Sequence, residues 1–336
     1  MSGAVGATDD SGSASGRTDP SSPLHSAFLD SLRDPSVRDL AWLLLSADLL
    51  RPQPPAGTLA RPFDTPAEAR ATLDWLRQLD AVPADLHHDL AATRITRLGR
   101  YAERLLGYFL QHGPAAQLVA AGVQVRREGV TLGECDFLLR TQSGTPLHWE
   151  LAVKCYLHAG ESRGQLADYV GPNLKDRFDL KLAHLLDHQL PLSTRDEFAA
   201  MGYAGSWAAQ MFVKGWLFYR QGEATLAPAT LDASHNRGWW VARGDWPAFS
   251  ASRAQSWRVL ARLEWLAPRR HEQGQVQSGE FVLSDAQTLA AQLEPLRGPT
   301  MVAAFAQAAD GAWLEQSRGF IVPDDWPQQA EAYARQ

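Results

Sequence analysis

The sequence predicts a mixed α/β fold for most of its 336 residues. Three observations indicate this class: apolar residues recur at helical spacing up to about residue 112, alternate at strand spacing from about 123 to 157, and then return to helical spacing. Apolar residues make up 45% of the chain and charged residues 21%, so a sizeable core can form.

The N-terminal part is predicted to consist of a tail and packing helices. Residues 1–22 are rich in Gly, Ser, Thr and Asp and hold almost no large apolar side chain, so we expect a disordered tail. Residues 23–85 show helical apolar spacing that is interrupted at Pro35. Thr65, followed by Pro66 and Glu68, predicts the start of a further helix that ends near Leu79.

Residues 86–222 are predicted to form a core with the element order α-β-β-β-α-β. A helix from about Leu86 to His112 ends at Gly113-Pro114. The elements expected after it are strands over 123–128, 134–140 and 147–157, a helix over 173–188 and a strand over 211–219. The three consecutive strands are separated by short turns, which predicts an antiparallel meander.

Residues 223–336 are predicted to form a smaller C-terminal α/β portion. Strand candidates cover 239–242, 257–266, 301–307 and 313–322. Asp310-Gly311 is a turn signal that joins the last two as a hairpin. The chain holds 12 tryptophans, most of them in its second half, which we interpret as core and interface material.

Charged side chains on two adjacent predicted strands indicate a metal site. Glu134 and Asp136 share one face of their strand, and Glu150 and Lys154 share a face of the next. Mg²⁺ binds through one or two carboxylates together with water and substrate phosphate. We therefore expect Asp136 and Glu150 to hold Mg²⁺ or Mn²⁺, with Lys154 as the third catalytic group and Glu134 as a further ligand.

The helices on either side of these strands add three candidates. Glu103 is a carboxylate on an otherwise apolar side of its helix, where burial is costly without a partner or a metal. Arg177 and Lys181 lie on one helical stripe and are candidates for contacts with nucleic-acid phosphates; a solvated helix face is the alternative. His184 and His188 on the same stripe have the spacing of a zinc pair but lack a third ligand in the sequence pattern.

The order of these motifs resembles the PD-(D/E)xK superfamily of restriction-endonuclease-like nucleases: a helix with Glu, then Gly-Glu-x-Asp, then a strand with Glu and Lys. The chain also resembles a bacterial family known as domain of unknown function 1853, over roughly residues 25–330. The stretches that carry this second resemblance are 98–103, 171–177, 188–193, 237–240 and 318–323. The resemblance implies a restriction-endonuclease-like core and a Mg²⁺-dependent nuclease that acts on DNA.

The chain departs from the superfamily pattern at one position. The superfamily places its second carboxylate two residues before the lysine, where this sequence has Ala152. Glu150 lies one pleat earlier on the same face, about 7 Å along the strand. The alternative hypothesis is therefore a nucleic-acid or protein-binding module with a degenerate nuclease site.

A serine hydrolase is a more remote alternative. Residues 160–164 read Gly-Glu-Ser-Arg-Gly, which matches the short G-x-S-x-G pattern around a nucleophilic serine, here Ser162. That fold needs several parallel strands upstream of the serine, whereas helices and a meander are predicted there.

Charge and cysteine content limit the other function classes. A net charge of −6 argues against a non-specific polyanion binder and leaves room for DNA contact through a local basic patch. Cys135 and Cys155 form no disulfide framework, which favours a reducing, cytoplasmic location. The longest apolar run, around Leu40 to Leu50, is too short to span a bilayer, so no membrane contact is expected.

Overall fold

The computed structural model describes residues 23–52, 57–160, 163–203, 205–223, 225–251, 253 and 256–336. The predicted tail over 1–22 and Ser162 lie outside the described residues. The α-helices are α1 (Pro23–Ser31), α2 (Pro35–Leu45), α3 (Pro66–Ala81), α4 (Ala84–Ala91), α5 (Leu98–His112), α6 (Phe178–His184), α7 (Asp196–Ala200), α8 (Trp246–Ser250), α9 (Gln273–Gln277), α10 (Ala286–Leu293) and α11 (Trp326–Ala334). The strands are β1 (Ala116–Arg127), β2 (Val130–Thr141), β3 (Pro146–His158), β4 (Tyr169–Val170), β5 (Ala208–Arg220), β6 (Asn236–Ala242), β7 (Ser256–Val259), β8 (Arg270–His271), β9 (Thr300–Gln307) and β10 (Trp313–Val322).

Side-chain caps fix the starts of the N-terminal helices. The Asp34 carboxylate accepts the backbone N–H groups of Ser36 and Val37, and Pro35 occupies the first turn of α2. Thr65 and Glu68 form a reciprocal capping box at the start of α3. The break at Pro35 and the helix start at Thr65 are both as predicted.

The single helix predicted over Leu86 to His112 is wrong, because α4 ends at Ala91 and α5 begins only at Leu98. The intervening segment contains the β-branched residues Thr93, Ile95 and Thr96, which have a lower helix propensity than the residues around them.

The three predicted strands of the meander are present and longer than predicted. β1 pairs antiparallel with β2, and β2 pairs antiparallel with β3. The turn between β1 and β2 contains Glu128 and Gly129, both at positive φ. Gly129 adopts this conformation without steric cost.

All ten strands belong to one sheet, in which the long strands follow the order β1-β2-β3-β5-β6-β10-β9-β7. The pairs β3–β5, β5–β6 and β6–β10 are parallel, and the flanking pairs are antiparallel. The predicted mixed α/β class is confirmed, and so is the C-terminal hairpin of β9 and β10. Strands from residues 223–336 continue the sheet that the predicted core begins.

The strand predicted over 257–266 is wrong beyond Val259, where a short 3₁₀ turn over Arg262–Glu264 follows. The guanidinium group of Arg318 stabilises the non-strand backbone at the end of this segment. It donates hydrogen bonds of 2.7–3.1 Å to the backbone carbonyls of Trp265, Leu266 and Ala267, so a side chain satisfies the groups that a neighbouring strand would otherwise pair.

The helix predicted over 173–188 is much shorter in the structure. Leu174 has a φ of +52° within a turn that Gly171 N–H closes onto the carbonyl of Asp176, so α6 begins only at Phe178. After His184 the chain forms a wide π turn over Leu185–Gln189 and a 3₁₀ turn over 190–194. Pro191 in the second turn lacks the N–H that would continue an α-helix.

Apolar cores lie against both faces of the sheet. One is formed largely by α2, α5 and inward-facing residues of most long strands, and it includes Trp149 and Phe212. A second includes Ala152 of β3, Phe178 of α6 and Val213 of β5. No described helix combines the length and apolar content needed to cross a membrane.

Candidate active site

Asp136 and Glu150 are neighbours at the point where β2 and β3 separate. The pairing of these strands ends at Phe137 and Trp149, one residue short of the two carboxylates. Asp136 Oδ2 accepts the backbone N–H of Leu151 at 2.9 Å, and Asp136 N–H donates to Glu150 Oε1 at 3.3 Å. The structure thus brings together the two acids that the sequence predicts as metal ligands.

Glu150 is fully buried, with an exposed fraction of 0%. Its Oε1 also lies 2.7 Å from His148 Nε2, and its Oε2 accepts a hydrogen bond of 2.6 Å from Gln189 Nε2. Burial raises the pKa of Glu150 to about 8, because a carboxylate removed from water loses hydration energy. Burial lowers the pKa of His148 to about 4, so the imidazole is neutral at physiological pH.

The pKa of Asp136 is also raised to about 8, first by burial and then by the nearby charge of Glu150. The hydrogen bond from Leu151 N–H acts in the opposite direction. Two adjacent carboxylates in a poorly solvated position repel each other when both are ionised. A divalent cation between them would offset that cost, so this donor set fits a hard metal ion.

Lys154 lies on the same side of β3 as Glu150, and its ammonium group forms an ion pair with Asp176. The Tyr156 hydroxyl donates to the same carboxylate oxygen at 3.2 Å. Lys154 retains 27% side-chain exposure. The predicted catalytic lysine is therefore partly accessible but engaged by a carboxylate.

Lys181 is a second lysine close to the two acids. It is half-buried, and its Nζ donates a 3.0 Å hydrogen bond to Gln189 Oε1, while the amide nitrogen of Gln189 holds Glu150. Burial and then the neighbouring charge of Lys154 lower the pKa of Lys181, against the opposite effect of Asp136 and Glu150. Lys181, predicted as a phosphate contact, thus lies in the electrostatic field of both carboxylates.

Arg177 is committed to structural contacts. Its guanidinium forms two hydrogen bonds with Asp179, at 2.7 and 2.9 Å, and donates to the backbone carbonyl of Tyr333 at 3.4 Å. The hydrogen bond to Asp179 raises the pKa of Arg177. Arg177 and Lys181, which the sequence places on one stripe, therefore have different surroundings.

Glu103 and Glu134 line a cleft of about 580 Å³ together with Asp136. Arg100 lies between the first two: its Nη1 donates to Glu103 Oε2 at 2.7 Å and is 3.9 Å from Glu134 Oε1. Burial raises the pKa of Glu103, and Arg100 opposes that shift. The structural partner of Glu103 is thus an arginine one helical turn away.

The cleft is also lined by four arginines of one short stretch, Arg94, Arg97, Arg100 and Arg104. Arg104 pairs with Asp89 at 2.7 Å, and Arg94 and Arg97 belong to the segment between α4 and α5. The lining also holds four acids, Asp89, Glu103, Glu134 and Asp136, and Arg100 and Arg104 are paired with two of them. In the sequence Thr-Arg-Ile-Thr-Arg-Leu-Gly-Arg the arginines recur every three residues. The single helix predicted over this stretch gave no reason to expect that they line a cleft.

Sequence reasoning did not assign site roles to His148, Asp176, Gln189 and Ser193. The last three fall in the stretches 171–177 and 188–193, which carry the family resemblance. His148 could have been found because it precedes Glu150 by two residues on the same strand face.

The rings of His184 and His188 lie 5.3 Å apart, and both residues are exposed.

A family model described as Domain of unknown function (DUF1853) matches residues 38–322. The comparisons with curated proteins and with solved structures found no match.

Proposed function

The chain belongs to the DUF1853 family, and we propose that it is a metal-dependent nuclease that hydrolyses phosphodiester bonds of DNA. The observation that carries the proposal is the pair formed by Asp136 and Glu150 where β2 and β3 separate. Asp136 also lines the cleft that holds Arg94, Arg97, Arg100 and Arg104, and guanidinium groups are side chains that bind phosphate oxygens. The free cysteines Cys135 and Cys155 favour a reducing cytoplasm as the place of action.

The order of elements supports a restriction-endonuclease-like core. Helix α5, the antiparallel strands β1, β2 and β3, helix α6 and the parallel strand β5 follow the α-β-β-β-α-β order expected for that core, with the two-residue strand β4 and the short helix α7 inserted on either side of α6. Within it, the two acids come from adjacent strands and the lysines from β3 and α6.

Asp136 and Glu150 are the residues that would hold the metal. When bound, Mg²⁺ or Mn²⁺ would lower the pKa of a water nucleophile and neutralise charge on the phosphodiester. Gln189 fixes one oxygen of Glu150, and Leu151 N–H fixes one oxygen of Asp136. These hydrogen bonds orient the carboxylates before any ion arrives.

The lysines supply positive charge beside the acids. Lys181 is joined to Glu150 through Gln189, and Lys154 is close enough to Lys181 to lower its pKa. We propose that Lys154, Lys181 or both stabilise charge that develops on the phosphate oxygens during attack. Asp176 holds the ammonium group of Lys154, and an entering phosphate would compete for it.

The cleft arginines are the proposed contacts for the DNA backbone. A guanidinium group binds phosphate oxygens in a bidentate manner, and several in one cleft would position the strand next to Asp136. Glu103 and Glu134, held by Arg100, would then act as further ligands or as groups that orient that arginine.

A non-catalytic nucleic-acid-binding module is the second candidate, and three contacts favour it. Both oxygens of Glu150 are already hydrogen-bonded, to His148 and Gln189, and Lys154 is paired with Asp176. Such a module would keep the arginine cleft and bind DNA without cutting it.

Cleavage assays test the proposal. The full chain is incubated with single-stranded, duplex and branched DNA in Mg²⁺, Mn²⁺ or EDTA, beside the isosteric variant Asp136→Asn and the matched control Asp74→Asn. Asp74 is an exposed residue of α3. We expect metal-dependent cleavage by the wild type and the control, and none by Asp136→Asn.

A wild type that binds these substrates and cuts none of them in either metal would favour the binding module. Cleavage that persists in Asp136→Asn would place the chemistry elsewhere in the molecule.

A further inference from the structure

Cys135, His148 and Glu150 converge in the protein interior beside Asp136. The cysteine sulfur, an imidazole nitrogen and a carboxylate oxygen all lie within 4.8 Å of one another. Each of the three residues is 0% exposed. Among the described His, Cys, Asp and Glu residues, these three have ligand atoms close enough together to share one metal ion.

We propose that these three side chains bind a thiophilic divalent ion of the Zn²⁺ class. Thiolate, imidazole and carboxylate are together the donors that zinc prefers, whereas Mg²⁺ binds oxygen donors. Three protein ligands with one remaining position is the arrangement of catalytic rather than purely structural zinc sites. Nothing in the nuclease proposal assigns a role to Cys135 or requires a sulfur ligand.

Neighbouring side chains orient two of the three ligands. Ser193 Oγ lies 3.1 Å from His148 Nδ1, which leaves Nε2 directed to Glu150 Oε1 at 2.7 Å. Gln189 holds the other oxygen of Glu150 at 2.6 Å. Hydrogen bonds of this kind to the far side of ligating groups are a regular feature of metal sites in proteins.

The ligands lie on rigid elements with an apolar surround. Cys135 belongs to β2, while His148 and Glu150 belong to β3, and Leu138 pairs with His148 across these strands. The apolar residues packed in the cluster of Cys135 are Val123, Val125, Leu138, Leu192, Phe198 and Trp207. A dry surround strengthens the attraction between a cation and an anionic ligand.

The same geometry has a metal-free interpretation. His148 would then donate its Nε2–H to Glu150, and Cys135 would serve as a small apolar core residue. The two interpretations differ in whether the sulfur atom bonds to a metal, and that difference can be measured spectroscopically.

Cobalt substitution tests the site in the full-length chain. The protein is stripped with a chelator and titrated with Co²⁺ beside Cys135→Ser, His148→Gln and the control Cys155→Ser, which makes the same change at the other cysteine. We expect a near-ultraviolet thiolate-to-cobalt band that saturates at one Co²⁺ per chain, with visible d–d bands, in the wild type and in Cys155→Ser. The near-ultraviolet band should be absent in Cys135→Ser, and His148→Gln should bind Co²⁺ at least about tenfold more weakly.

Absence of the thiolate band in the wild type, or its persistence in Cys135→Ser, would overturn the inference. His148→Gln keeps the test decisive if Cys135→Ser does not fold, since unaltered affinity in that variant would also contradict the site. The proposed zinc site shares Glu150 with the proposed nuclease site, but the cobalt spectrum is measured without a cleavage assay. A chain that cuts DNA yet shows no thiolate band would refute this inference alone, and a chain with the band but no cleavage would refute only the nuclease.

Discussion

The chemistry of the candidate site depends on two carboxyl groups whose pKa values are both raised to about 8. Burial is the first cause for Asp136 and for Glu150, and the charge of Glu150 adds to the shift of Asp136. Below about pH 8 the metal-free site therefore keeps protons that the unfolded chain would release. A metal ion has to displace those protons, so metal binding and pH are coupled.

The stability of the metal-free protein should fall as pH rises from about 5 to 8. Both folded-state pKa values lie above the unfolded values of 3.8 and 4.5, so their contribution is complete below the unfolded pKa and is lost as pH rises through about 8. Urea unfolding in EDTA at several pH values measures this slope. Asp136→Asn should show a shallower slope than the control Asp74→Asn, and equal slopes in the two variants would contradict the assignment.

The two lysines should differ in their effect on cleavage. Lys181 reaches Glu150 through Gln189, whereas Lys154 is held by Asp176. We expect Lys181→Met to lower kcat by about 10²–10³-fold, the loss typical of one group that stabilises transition-state charge. Lys181→Arg, which keeps the charge, should recover part of it. A Lys181→Met enzyme with wild-type kcat would leave Lys154 as the catalytic lysine.

At the scale of the elements, β3 and its neighbours position the site. Gly215 of β5 pairs with Lys154 at a φ of +148°, and a Cβ there would lie 1.8 Å from the Lys154 carbonyl oxygen. No side chain fits between the two strands at this position. The glycine therefore permits the close approach of β5 to the part of β3 that carries Lys154.

Gly215→Ala should destabilise the protein by about 2–4 kcal/mol, because it adds both a backbone clash and an unfavourable φ. Gly99→Ala is the matched control, since a Cβ at Gly99 in α5 would meet nothing within 4 Å. That change should stabilise the fold by about 0.4–1 kcal/mol, because alanine lowers the conformational entropy of the unfolded chain. Denaturant midpoints measure both effects, and equal midpoints for the two variants would contradict this explanation.

The sequence predicts those elements whose signal is local. Alternation identifies β1, β2 and β3, the break at Pro35 marks the start of α2, and the cap at Thr65 identifies α3, because each pattern lies within about ten residues. The non-strand backbone at Trp265 and Leu266 is instead held by the side chain of Arg318, some 50 residues away. In the site, strand alternation and the expected pairing of β2 with β3 predict that Asp136 and Glu150 lie close together. The contacts of Gln189 and Asp176 depend instead on turns after β3 that periodicity does not reveal.

At the scale of the whole molecule, one sheet joins the predicted core to residues 223–336, and buried polar contacts hold the helices against it. Asp39 of α2 forms an ion pair with Arg269 and accepts the hydroxyl of Tyr101 in α5 at 3.0 Å. The side chain of Arg318 in β10 is 1% exposed and is bonded to Glu315 as well as to three backbone carbonyls. These contacts link segments that are far apart in sequence.

Arg318→Met should destabilise the whole molecule by about 3–5 kcal/mol, because it removes the guanidinium partner of the buried Glu315, which keeps the backbone N–H of Arg269, and the donor of three backbone carbonyls. The control Arg335→Met removes an exposed i,i+4 pair with Glu331 and should cost less than about 1 kcal/mol. The unfolding midpoint of Arg318→Met should shift by the same amount whether it is followed by tryptophan fluorescence or by circular dichroism. A shift seen by one probe alone would mean that the C-terminal strands unfold separately.

The rate of DNA cleavage by wild type and Asp136→Asn, compared at equal concentrations of folded protein in Mn²⁺, tests the central claim most directly. The proposed nuclease predicts a fall of at least about 100-fold in the variant, because one of two metal-holding carboxylates becomes a neutral amide of the same shape. Asp74→Asn should retain the wild-type rate. Equal rates for wild type and Asp136→Asn would contradict the claim that this pair of acids carries the chemistry.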